Sequence, residues 1–170
     1  AMLLYLATLR AGFVFLPLNT AYQSAEIEYF IGNAEPAVVV CSPGNFGWVS
    51  KIAFTLGTQH VFTLGDDRTG SLLDRAAPHA GVHQPVDKGV DDLAAILYTS
   101  GTTGNPKAVL YSHRSTLLHA YAGVMPDAMG LSARDSVLPV VPMFHVNAWG
   151  LPYSAALTGC KIVYPGPALD

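Results

Sequence analysis

A chain of 170 residues is long enough to bury a sizeable core. Its 51% hydrophobic and 12% charged residues, against a usual charged share of ~25%, point to elements covered on both faces or to a piece cut from a larger body. The net charge is −3 with Lys and Arg scattered, which excludes a basic surface for nucleic acid or anionic membrane.

The opening run is apolar, but Arg10, Gly12 and Pro17 interrupt it. It therefore lacks both the ~20-residue span of a membrane helix and the basic start of a signal peptide, so a soluble chain is expected. Residues 2–10 read as the later part of a helix without a polar cap, stopped at Gly12. The chain closes just after a strand-like run, so both ends are expected to be cut from a longer protein. Residues 13–18 read as an apolar strand. Ser24 is positioned to cap a helix over 25–34, with Glu26 and Glu28 in the first turn, where the helix dipole favours acids. Pro36 closes it, and residues 37–41 form a continuous apolar run suited to a strand covered on both faces. A helix over 46–56, a stop at Gly57 and a strand over 60–64 follow. This βαβαβ rhythm predicts an α/β fold with a mainly parallel sheet flanked by helices.

Residues 65–92 are rich in Gly, Pro, Asp and His and read as a surface connection with one helical turn over 71–77. His79 and His83 fall here with a spacing that suits a metal, but without a carboxylate or Cys partner nearby they read as solvated, and no metal site is expected. Cys41 and Cys160 sit in apolar runs without a CxxC pattern, as small buried hydrophobes in a reducing, cytoplasmic setting. From Asp92 the order is a strand over 93–99, a loop, a strand over 108–111, and a helix over 113–125 capped by Ser112. A strand over 136–141, a helix over 147–157 and a strand over 161–164 complete it. The organisation is thus a βαβαβ segment over 1–92, including the connection, and a second segment over 93–170.

The sharpest signal is Tyr98-Thr99-Ser100-Gly101-Thr102-Thr103-Gly104-Asn105-Pro106-Lys107, between two apolar strands. Glycines let backbone N–H groups converge on one centre, because positive φ costs them little. Such a nest binds anions, and hydroxyls add donors to phosphate oxygens. Lys107 brings a full positive charge to the rim. A Walker A loop needs four residues before its final Gly-Lys-Ser/Thr and opens into a helix. Here two residues separate the glycines, two more divide Gly104 from Lys107, and a β-rich run follows. By itself a Gly/Thr-rich loop also reads as a tight, solvated turn.

The ordered run over 98–107 closely resembles the phosphate-binding signature of the adenylate-forming superfamily, which includes acyl-CoA synthetases, peptide-synthetase adenylation domains and luciferases. Ala108 departs from that pattern, where relatives usually carry Gly; the added methyl removes no donor. A second stretch, Pro142-Met143-Phe144-His145-Val146-Asn147-Ala148-Trp149-Gly150, is similar to the family's next motif. Taken alone, His145 and Trp149 on an apolar helix would be core residues. The resemblance instead makes them part of the acyl pocket, with His145 a candidate catalytic residue and Trp149 a gate to a fatty-acid tunnel. Residues 11–40 resemble the region before the loop in acyl- and malonyl-CoA synthetases.

The resemblance implies part of the large N-terminal domain of an acyl-CoA synthetase. ATP, Mg²⁺ and CoA would be used with a small carboxylic acid, and Thr99, Ser100, Gly101, Thr102, Thr103, Gly104 and Lys107 would hold the phosphates. The family's adenine-binding segment, metal-binding Glu, hinge and C-terminal catalytic lysine are expected after Asp170, leaving the fragment inactive alone. The apolar stretch over 146–157 carries no cation for a second carboxylate, which favours a medium- or long-chain fatty acid. Residues 15–41 look more like the malonate-activating branch, and a non-catalytic truncated module is a further alternative. Apolar surface left bare by truncation would invite homodimerisation.

Overall fold

The computed structural model describes residues 1–79, 81–99, 105–164 and 166. It divides into two compact units, Ala1–Leu18 with Gln84–Asp170, and Asn19–His83. No helix among the described residues is long and apolar enough to cross a membrane.

Helix α1 (Met2–Arg10) ends where expected, with Gly12 at φ 76°. The strand expected over 13–18 reduces to a single parallel bridge between Phe15 and Ala95. Phe15 N–H donates to Ala94 O and Ile96 N–H donates to Phe15 O. Pro17, two residues on, has no N–H with which to extend that ladder.

The unit Asn19–His83 is a βαβ arrangement behind a leading helix. Helix α2 (Ser24–Ala34) is flanked by Gln23 rather than by the expected Ser24. The Glu26 carboxylate accepts from Gln23 N–H at 2.7 Å, holding the first turn from within. Glu35 leaves the helix in the left-handed region at φ 47°, just before Pro36. Ile27, Phe30 and Ile31 form its buried stripe, and Tyr22 stacks on Phe30 at 5.1 Å. Strand β1 (Val38–Cys41) leads through α3 (Phe46–Thr55) to β2 (His60–Thr63). The strands pair in parallel, Val38 opposite His60 and Cys41 opposite Thr63. Neither is fully covered, and Val38 remains 48% exposed. Thr63 and Ser71 then exchange backbone-to-hydroxyl hydrogen bonds that seat α4 (Ser71–Ala76).

The other unit resumes with Val86 N–H donating to Arg10 O. Strand β3 (Leu93–Thr99) pairs antiparallel with β4 (Lys107–Ser112). Ser112 caps α5 (His113–Val124) as expected, its hydroxyl accepting from Ser115 N–H at 3.1 Å. The Arg114 guanidinium meets Asp91 at 2.8 Å and holds that carboxyl below its ordinary range. Strand β5 (Ser136–Val137) pairs in parallel with β6 (Lys161–Ile162), α6 (Leu151–Thr158) lying between them in sequence. The strand expected over 136–141 stops early, because Pro139 cannot donate to a ladder. Tyr5, Ala94, Ala95, Leu97, Ala120 and Ala155 are buried at the centre of this unit. The small residues leave room for the Tyr5 ring, edge-on to Phe15 at 5.1 Å. Among the described residues two of the three strand pairs are parallel, and the fold is a mixed α/β one.

Candidate functional site

Strands β3 and β4 carry the two described ends of the signature run, Thr99 and Lys107. Burial of Ala94, Ala95 and Leu97 anchors β3, which carries Thr99 out to an exposed end. In the ladder Tyr98 lies opposite Ala108 and Thr99 opposite Lys107, with the Thr99 hydroxyl 3.5 Å from Lys107 O. The chain therefore leaves and re-enters the hairpin side by side, bringing an exposed hydroxyl and an exposed ammonium to one end. Ser100, Gly101, Thr102, Thr103 and Gly104 lie outside the described residues.

The second motif departs from the expected helix over 147–157. His145 N–H closes a turn onto Pro142 O, and Ala148 N–H donates to His145 O. Val146, Asn147, Ala148 and Trp149 then all take positive φ, between 44° and 56°. Only after Gly150, at φ 73°, does right-handed α6 begin. A left-handed conformation costs about 1–2 kcal/mol for each L-residue, and a β-branched one such as Val146 is a genuine outlier. The surroundings must impose this turn. Asn147 and Ala148 are 2% exposed, and Gly150 is pressed against the rings of His119 and Tyr153. A Cβ on Gly150 would lie 2.6 Å from His119 Cδ2 and 2.5 Å from Tyr153 Cε2. The turn's handedness sends Trp149 outward, 61% exposed, instead of into a helix packing face.

Trp149 borders a cleft of about 370 Å³, with Tyr111 from β4, His119 and Gly123 from α5, Met129 beyond it, and Tyr153 from α6. Val146 supplies a further apolar wall. His119 stands edge-on to Tyr153 at 5.7 Å, with Nε2 3.5 Å from Trp149 O. Burial, and then the neighbouring Tyr111, pushes the Tyr153 hydroxyl up to about 12. Of the two pocket residues expected from the sequence, Trp149 lines this cleft; His145 is exposed and is not among the lining residues. A smaller hollow of about 170 Å³ touches Pro139, Met143, Ala148 and Pro152 behind the turn.

His119, Gly123, Met129, Tyr111 and Tyr153 were not singled out by the sequence. The available signal was the i, i+4 spacing of His119 and Gly123, which puts both on one face of α5. Among the described residues no group of three His, Cys, Asp or Glu side chains gathers as a metal cage. Cys41 and Cys160 are free thiols, and burial pushes the Cys41 thiol up.

Residues 1–170 match the family described as AMP-binding enzyme. The chain is 42% identical to the medium-chain-fatty-acid–CoA ligase of Ectopseudomonas oleovorans, over 98% of this chain and 32% of that protein. It is 40% identical to the long-chain-fatty-acid–CoA ligase of Thermus thermophilus, over 98% of this chain and 31% of that protein. The crystal structure of ATP-bound MatB from Rhodopseudomonas palustris superposes with a TM-score of 0.90 at 39% identity, covering 99% of this chain and 33% of that one. The chain thus spans about a third of the length of the relatives it matches. With its hairpin signature, its His145 segment and a family match from the first residue to the last, the chain belongs to the AMP-binding enzyme family.

Proposed function

We propose that the protein carrying this chain uses ATP to join a medium- or long-chain fatty acid to CoA. A carboxylate is a poor electrophile. Attack of its oxygen on the α-phosphorus of ATP forms an acyl-adenylate and expels pyrophosphate. The CoA thiolate then attacks the acyl carbon and expels AMP, leaving a thioester.

The observation that carries this reading is the pairing of Thr99 with Lys107 across the hairpin end. It supports a role in which the hydroxyls of residues 99–103, the glycines Gly101 and Gly104, and the Lys107 ammonium receive the triphosphate tail. Donors preorganised where charge builds on a leaving group stabilise the transition state rather than the bound substrate. Mg²⁺ belongs to this scheme as part of the ATP substrate, since it is commonly held through phosphates and a few carboxylates. The described residues offer it no cage.

Trp149 and the cleft beside it are proposed to receive the acyl chain, with His145 near the reacting carboxyl. The lining residues include neither Lys nor Arg. Apart from the His119 imidazole, a second carboxylate such as malonate's would meet no cationic side chain there, which favours a monocarboxylic fatty acid. Two free thiols accord with work in a reducing compartment such as the cytoplasm.

The test is acid-dependent pyrophosphate release by the intact protein with ATP, Mg²⁺ and CoA. Replacing Thr102, Thr103 and Lys107 together by alanine is expected to lower kcat at least ~100-fold, the usual scale for losing preorganised donors. An undiminished rate would refute the phosphate role. No release from the unsubstituted protein with any acid would identify a non-catalytic module.

A further inference from the structure

We infer that Gly123 and Met129 together gauge acyl-chain length: the missing side chain of Gly123 leaves the space in which the Met129 methyl rests, and so sets how deep the cleft runs. This rests on the proposal that the cleft receives the acyl chain, and it names the residues that choose among acids.

Gly123 is the next-to-last residue of α5. It lies outside the positive-φ region that would demand glycine. In such a position glycine is a poorer helix former than alanine, so local conformation gives no reason for it. Space does. A Cβ built on Gly123 would lie 3.0 Å from Met129 Cε and 3.5 Å from Ser154 Oγ. On the Ser154 side nothing is free to yield, because Ser154 is fully buried in α6, flanked by Tyr153 and buried Ala155. On the other side stands the tip of an unbranched thioether, the most adaptable of apolar side chains.

Met129 cannot withdraw as a whole. Its backbone N–H donates to Gly123 O at 3.0 Å, and the following Gly130 N–H donates to Met125 O at 3.0 Å, tying the loop to the end of α5. A methyl at position 123 would therefore swing the Met129 tip, and both residues line the cleft. The two tyrosine walls are stiffer. Tyr111 stands in a ladder strand, and Tyr153 is wedged between His119 and Tyr5. The Gly123–Met129 contact is a wall whose position one added methyl moves. One methylene more or less in an apolar pocket changes discrimination about 10- to 200-fold.

The experiment compares kcat/KM of the intact protein for hexanoate, octanoate, dodecanoate and hexadecanoate, by pyrophosphate release. Gly123→Ala is expected to lower the ratio of the longest accepted acid to hexanoate at least ~10-fold. Met129→Ala should move the ratio the opposite way and restore long-acid use in the double variant. If both single variants scale all four acids by one common factor, the gauge is wrong, even though acid activation stands. It is equally wrong if the double variant keeps the Gly123→Ala profile. Should Trp149→Ala also leave every acid's KM unchanged, the placement of the acyl chain in this cleft fails, and the gauge fails with it. If Gly123→Ala does not fold, the direction of the Met129→Ala shift alone decides between these outcomes.

Discussion

The two units differ in how far their backbone obeys local rules. In Asn19–His83, helix α2 begins on an acid-stabilised turn, ends on a single left-handed residue before a proline, and feeds a parallel βαβ pair in simple register. Its non-glycine residues at positive φ, Glu35 and Arg68, stand alone in turns. In the unit that carries the hairpin, four consecutive non-glycine residues over 146–149 are left-handed, and Asn147 and Ser154 are buried. Their Oδ1 and Oγ atoms find no hydrogen-bond partner among the described residues, but neither does Thr58 Oγ1 in Asn19–His83, so the contrast lies in the backbone. The lesson is physical. Segments whose neighbours along the chain agree on one conformation need no outside help, whereas the segment 146–149 holds its conformation only through contacts made by residues distant in sequence.

The largest test of this contrast is in the unit Asn19–His83. Phe30→Ala removes a ring that is 2% exposed and stacked on Tyr22. It should cost about 3–5 kcal/mol of stability by urea unfolding, while the chain-length profile of the intact protein keeps its shape. A changed profile would erase the distinction between the units. A smaller effect of opposite sign is expected in the turn. Val146→Gly relieves left-handed strain at φ 44° and should stabilise the chain by about 1 kcal/mol, yet loosen discrimination between acids, because Val146 also walls the cleft. A loss of stability would mean that the turn suits valine after all.

The smallest effect is confined to alkaline pH. Burial raises the Tyr153 hydroxyl from its ordinary value of 10.0 to about 12. The unfolded chain releases this proton near pH 10 and the folded chain only near 12, so the unfolded state binds fewer protons in that window. The stabilisation tied to Tyr153 is whole below pH 10 and is lost as pH climbs toward 12. Buried Tyr5, shifted the same way, adds a decline of the same sign. Tyr153→Phe should therefore unfold less readily than the parent at pH 11 relative to pH 9, by urea midpoints. Equal declines would assign the alkaline sensitivity elsewhere.

Much of the architecture was legible because it rests on local chemistry. Gly12 and Gly57 as helix stops, Ser112 as a cap, Pro36 as a breaker and the apolar runs at 38–41 and 93–99 each act on residues within a turn or two. The misses share one cause. Prolines at 17 and 139 shortened two apolar runs that composition alone read as strands, since a ladder needs an N–H at each pairing position. Gln23 rather than Ser24 flanks α2 because Glu26 reaches back to the earlier N–H. The helix read over 147–157 had the right composition, but its first residues answer to His119 and Tyr153, not to their own propensity.

What the sequence determined by itself was the family, through an ordered run of hydroxyls, glycines and a lysine between two strands, and the alternation of helices and strands that holds it. Such patterns are written in consecutive residues. What only the tertiary structure decided was the handedness of the turn at 146–149, the outward placement of Trp149 and the cleft beside it. These follow from contacts between residues about thirty positions apart, as between His119 and Trp149. No local propensity encodes such a contact, because its energy exists only once α5 and α6 are packed together.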